Sequence, residues 1–115
     1  EVLSIIALKS REKILERNRK IISDNLSLLS PFFEKNKDLF DWKIPDGGCI
    51  GYPKYLGDES VEVFCENLIE NHSIMLLPSS VYQSELGATV GDHFRIGYGR
   101  IKMKEGLEAL EIALD

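Results

Sequence analysis

The chain has 115 residues, with 14 Lys and Arg against 19 Asp and Glu, for a formal charge of −5. At 43% hydrophobic and 29% charged it has the composition of a packed domain, and a chain of this length buries well over half of its unfolded surface, which argues against disorder. The acidic balance argues against a dedicated nucleic-acid binder, and no apolar run approaches the roughly 18 residues needed to cross a bilayer.

The chain opens Glu1-Val2-Leu3, without an initiator methionine or a basic segment, so the apolar patch over residues 2–8 reads as a cut end rather than a signal peptide. Over the first 30 residues apolar pairs recur at Ala7-Leu8, Ile14-Leu15, Ile21-Ile22 and Leu28-Leu29, separated by charged or amide residues such as Arg11, Lys13, Arg17, Asn18, Asp24 and Asn25. This spacing predicts one long amphipathic helix, longer than a small domain needs and suited to spanning two bodies. Pro31 removes a backbone donor and disfavours helical geometry at Ser30, so the helix is expected to end or kink there. A short helical turn is expected from Phe32 to near Leu39.

From Trp42 the pattern changes. Trp42-Lys43-Ile44 alternates and stops at the turn signal Pro45-Asp46-Gly47-Gly48, and residues 49–55 read as a second strand. Residues 60–71 carry apolar positions at Val61, Phe64, Cys65, Leu68 and Ile69, with Asp58, Glu59 and Ser60 supplying a cap-forming start, and they predict a helix. Residues 74–77 read as a buried strand closed by Pro78, residues 93–101 as another strand, and Leu107, Leu110 and Leu114 mark a final helix. The predicted fold is α+β, a small sheet covered by helices, with no internal repeat. Cys49 and Cys65 lack metal-ligand or redox spacing and read as reduced, cytosolic thiols. No His or Cys pair is spaced for a zinc site.

The segment with most chemical content is Asp92-His93-Phe94-Arg95-Ile96-Gly97-Tyr98-Gly99-Arg100. On a strand Phe94, Ile96 and Tyr98 face one way and pack, while His93, Arg95, Gly97 and Gly99 face the other. That second face sets a guanidinium beside two residues without side chains, a slot where a ligand or another backbone can approach closely. Arginine is suited to a carboxylate because its planar fork makes two parallel charge-assisted bonds. On the residues alone two readings of Arg95 stand: an ion pair with a neighbouring Asp or Glu, or a grip on a ligand's acid group.

The order of the elements favours the second. A long helix, the Pro-Asp-Gly-Gly strand start, a helix, an apolar strand ending in Leu77-Pro78-Ser79-Ser80-Val81-Tyr82, the Phe-Arg-Ile-Gly-Tyr-Gly strand and a closing helix together resemble the C-terminal small domain of the class I/II aminotransferases, pyridoxal-phosphate enzymes of fold type I. The resemblance covers nearly the whole chain. It implies an interdomain helix and its extension over residues 1–38 and a small domain over residues 39–115. It also implies that Arg95 binds the substrate α-carboxylate. Where the family usually has Pro-Gly, this chain has Pro78-Ser79. The family's Schiff-base lysine and its cofactor-binding residues belong to an upstream large domain that is not in this sequence, so this chain alone is expected to bind no cofactor and to be inactive. Amino acids and 2-oxo acids would be the substrates of a homodimeric, cytoplasmic parent, with neither nucleic acid nor membrane as partner.

Other strings carry less. Ser10-Arg11-Glu12-Lys13 matches Ser-x-x-Lys but lies in a charged helical stretch, and Lys54 has no evident neighbour to activate it. Gly97-x-Gly99 and Gly47-Gly48-x-x-Gly51 do not open a helix after a strand, so turns and close packing explain them better than phosphate binding. His72 reads as a helix-end residue, and His93 as an edge-strand residue that could line the slot. Residues 9–20 hold six basic and two acidic residues, and the interleaved Ile14 and Leu15 favour an interdomain helix over a nucleic-acid surface. The alternative to an aminotransferase piece is a free-standing α+β interaction or small-ligand-sensing domain in which Arg95 is structural.

Overall fold

The computed structural model describes residues 1–87 and 91–115. It opens with two helices, α1 (Val2–Lys9) and α2 (Arg11–Lys35), meeting at a bend on Ser10. The expected single helix is therefore divided. Residues 1–9 bury nothing, so no packing enforces a continuous axis across Ser10.

The second departure is at Pro31, which stands inside α2 rather than ending it. A proline inside a helix costs about 3 kcal/mol. Phe32 and Phe33 follow it into the core, and each buried ring contributes roughly 1.5–3 kcal/mol, enough to carry the helix through. The helix then closes on Asn36, whose side-chain amide and backbone N–H both donate to Phe32 O.

The strands are shorter than the sequence suggests. β1 (Phe40–Asp41) pairs antiparallel with β3 (Lys54–Tyr55), and β2 (Ile50–Gly51), β5 (Phe94–Gly97) and β4 (Leu77–Pro78) form a three-stranded antiparallel sheet with β5 in the middle. The expected strand over residues 49–55 is split into β2 and β3 at Tyr52-Pro53, where proline has no N–H for a ladder. Pro78 is accepted because β4 is an edge strand. Backbone bonds Tyr55 N to Asp92 O (2.7 Å) and Phe94 N to Pro53 O (3.1 Å) tie the two sheets together.

Two helices cover this platform. α3 (Val61–His72) starts where expected, with Ser60 Oγ accepting from the N–H of Val63 at 3.3 Å. Val61, Phe64, Cys65 and Leu68 are buried, whereas Ile69, expected on the same face, is 48% exposed. α4 (Met103–Leu114) buries Leu107 and Leu110 against the core, and Lys35 on α2 pairs with Glu111 at 2.6 Å. Phe40 is central to the core, with ring centroids 5.6 Å from Phe33, 5.9 Å from Phe64 and 5.6 Å from Phe94. The α+β architecture expected from the sequence is the one observed.

Candidate functional site

β5 alternates as its sequence requires. Phe94, Ile96 and Tyr98 are buried, while Arg95 and Gly97 face outward. The Leu77–Arg95 register sets the start of β4 beside the arginine. Among the described residues no carboxylate lies within ion-pairing distance of Arg95, and the five ion pairs present lie elsewhere. Its Nη1 instead donates to Tyr82 Oη at 3.3 Å. The ion-pair reading of Arg95 therefore has no partner among the described residues.

The two glycines of the slot have different roles. A Cβ built on Gly97 would meet nothing within 4 Å, so the space above it is open. One built on Gly99 would lie 2.9 Å from Cys49 Cβ, so Gly99 serves close packing of the strand start at Cys49. A cavity of about 260 Å³ adjoins Arg95 and Gly97 and is lined further by Met75, Ile101, Met103 and Leu107. Its lining is mainly apolar, with Arg100 and Lys102 adding positive charge. The arrangement offers a guanidinium with free donors beside unobstructed backbone, a place for an acid group.

Tyr82 was not among the residues singled out from the sequence. It lies on a 3₁₀ turn, Ser79–Tyr82, that follows β4 directly. Ser79 is buried and its N–H donates to His93 O at 2.7 Å, which fixes the turn against β5 in the place where the family usually has Pro-Gly. The carboxyl of Glu62, in the first turn of α3, is held below its usual range first by its own backbone N–H and then by the Ser80 hydroxyl. An aromatic residue five positions beyond an apolar strand is the signal that could have drawn attention to it.

The other candidates separate cleanly. His93 is half-buried, stacks on Tyr52 with centroids 5.2 Å apart, and places Nδ1 2.6 Å from Gly91 O; no hydrogen bond joins it to Arg95. His72 is exposed in the last turn of α3. Lys13 is exposed on α2, and Lys54 is half-buried in β3, bordering a separate cavity with Asp41 and Trp42. Gly48 has a positive φ of 77°, a turn conformation. Cys49 and Cys65 are unpaired, and burial pushes the Cys65 thiol up to about 11. Among the described residues no His, Cys, Asp and Glu side chains cluster to hold a metal ion, and no helix is long and apolar enough to cross a membrane.

No family model matches the chain. Its structure is similar to a pyridoxal-phosphate-dependent aminotransferase from Streptococcus suis 89-1591, with a TM-score of 0.84 and 27% identity over 98% of this chain and 29% of that one. It is also similar to the pyridoxal-phosphate-dependent cyclase OrfR, with a TM-score of 0.77 and 23% identity over 92% of this chain and 28% of that one. In sequence it is 28% identical to capreomycidine synthase of Streptomyces vinaceus over 72 residues, which is 61% of this chain and 17% of that protein. The chain thus spans less than a third of the length of each. It has the fold of the C-terminal small domain of the class I/II, fold type I, pyridoxal-phosphate aminotransferases, as its element order implies.

Proposed function

We propose that residues 39–115 are the small domain, and residues 1–38 the interdomain helical segment, of an enzyme that moves an amino group between an amino acid and a 2-oxo acid, with Arg95 binding the substrate α-carboxylate. The observation that carries this reading is the exposed, acid-free guanidinium beside the open backbone of Gly97. Among the described residues its hydrogen-bond partner is the Tyr82 hydroxyl, which leaves most of its donors for a ligand's acid group. Amino-group transfer is favoured over the cyclase and synthase chemistries by the likeness to an aminotransferase, at a TM-score of 0.84.

Pyridoxal phosphate, when bound in such an enzyme, supplies the electron sink. We assign it no place among the described residues of this chain. Lys102 borders the Arg95 cavity but is exposed, and half-buried Lys54 borders the separate Trp42 cavity. The chain's own share of the work is therefore to bind and orient the substrate's acid group. The lysine and the cofactor cradle are assigned to the rest of a homodimeric, cytoplasmic parent. The apolar, uncovered α1 favours this over a free-standing sensing domain, because its side chains need a second body against which to pack.

The test is kinetic, on the full-length protein. Arg95→Gln should raise the KM for the amino acid by about a hundredfold or more, since each of two charge-assisted bonds contributes roughly 1.5–3 kcal/mol when shielded from water. An unchanged KM would remove Arg95 from the site. A wild-type enzyme that transfers no amino group between any amino acid and 2-oxo acid would remove the reaction.

A further inference from the structure

Tyr82 meets Arg95 from the turn that follows β4, and the chemistry of that contact is specific. A guanidinium has five N–H donors and no acceptor, and the phenolic oxygen takes one of them at 3.3 Å. We propose that Tyr82 is a positioning residue for the carboxylate-binding arginine, an assignment that rests on the role given to Arg95 above.

An arginine on an exposed strand face has many rotamers, and a ligand that must freeze them binds less tightly than one that finds the fork already aimed. A carboxylate could also aim the fork, but it would neutralise the charge and compete for the same donors. A phenolic oxygen orients the guanidinium while leaving its full charge and its remaining donors for the ligand. The turn that carries Tyr82 is itself fixed, by Ser79 N–H on His93 O at 2.7 Å and by the pairing of Pro78 with Phe94. The tyrosine is thus held from the same strand that carries the arginine.

The proposal is tested in the full-length enzyme with Tyr82→Phe, which keeps the ring and removes the acceptor. Tyr82 is 45% exposed, so the variant should fold. The KM for the amino acid should rise about fivefold, the scale of one lost hydrogen bond, with kcat unchanged within about twofold. Affinity for the corresponding amine lacking the carboxylate should not change. Tyr82→Gln, which restores an acceptor oxygen, should recover part of the loss. A Tyr82→Phe enzyme with wild-type KM, beside an Arg95→Gln enzyme whose KM is raised, would overturn the role of Tyr82 and leave that of Arg95 standing. Equal losses with the amino acid and the amine would also overturn it, since they would mark a general structural role. A normal KM in Arg95→Gln would remove the reading on which both assignments depend.

Discussion

Asn25 lies on the inner face of α2, 6% exposed, and its side-chain amide donates to Tyr98 O at 2.8 Å and to Arg100 O at 2.7 Å. These carbonyls belong to the chain as it leaves β5, where the sheet no longer supplies donors, and buried carbonyls need partners. Asn25→Ala strips a partner from both and should cost about 2–3 kcal/mol, or roughly 10 °C or more in Tm, read by thermal or urea unfolding. A loss below about 0.5 kcal/mol would show that water replaces the amide without cost. The sequence placed Asn25 among polar residues between apolar pairs, because heptad spacing reports side-chain type and not the unpaired carbonyls of a strand far away in the chain. Arg95 was legible for the opposite reason: its environment is set by its immediate neighbours on one strand. Tyr82 was not, since its partner lies across a loop.

At the scale of elements, α3 and α4 were read well, the first helix only in part and the strands poorly. α3 was legible from Ser60 and the spacing of Val61, Phe64, Cys65 and Leu68, all local signals. The strands are two to four residues long, below the length at which alternation is informative, and Pro53 and Pro78 decide where they stop. The passage of α2 through Pro31 depends on where Phe32 and Phe33 find a core, a tertiary effect that outweighs the local cost. The start of α3 carries a pH dependence of its own. Glu62 has a folded pKa below its unfolded value, so its contribution to stability is present above the unfolded pKa near 4.5 and is lost as pH falls through the lower folded value. Glu62→Gln should therefore be less stable than wild type near neutral pH, and the Tm difference should shrink as pH falls below about 4.5. A difference that persists in acid would assign the effect to the shape of the side chain rather than to its charge.

The whole molecule is more extended than its length requires. A compact chain of this size has a radius of gyration of about 13 Å, and this one has 16.4 Å, with extents of 50 × 36 × 27 Å. The excess lies in the first 20 residues, none of which is buried, while Val2, Leu3 and Leu8 are 70%, 81% and 70% exposed. Apolar pairs at seven-residue spacing look alike whether they pack into their own core or await another body, which is why the helical periodicity was legible but not what covers it. If α1 packs on the rest of a larger protein, Leu3→Glu with Leu8→Glu separates the two cases. In the 115-residue chain by itself the double substitution changes only exposed positions and should move Tm by no more than about 3 °C. In the full-length protein it places two charges in an apolar interface and should lower Tm well beyond that, since an unpaired buried charge is far more costly than an exposed one. Equally small shifts in both proteins would mean that α1 is solvated in each, and that the interdomain role proposed for residues 1–38 falls to α2 alone.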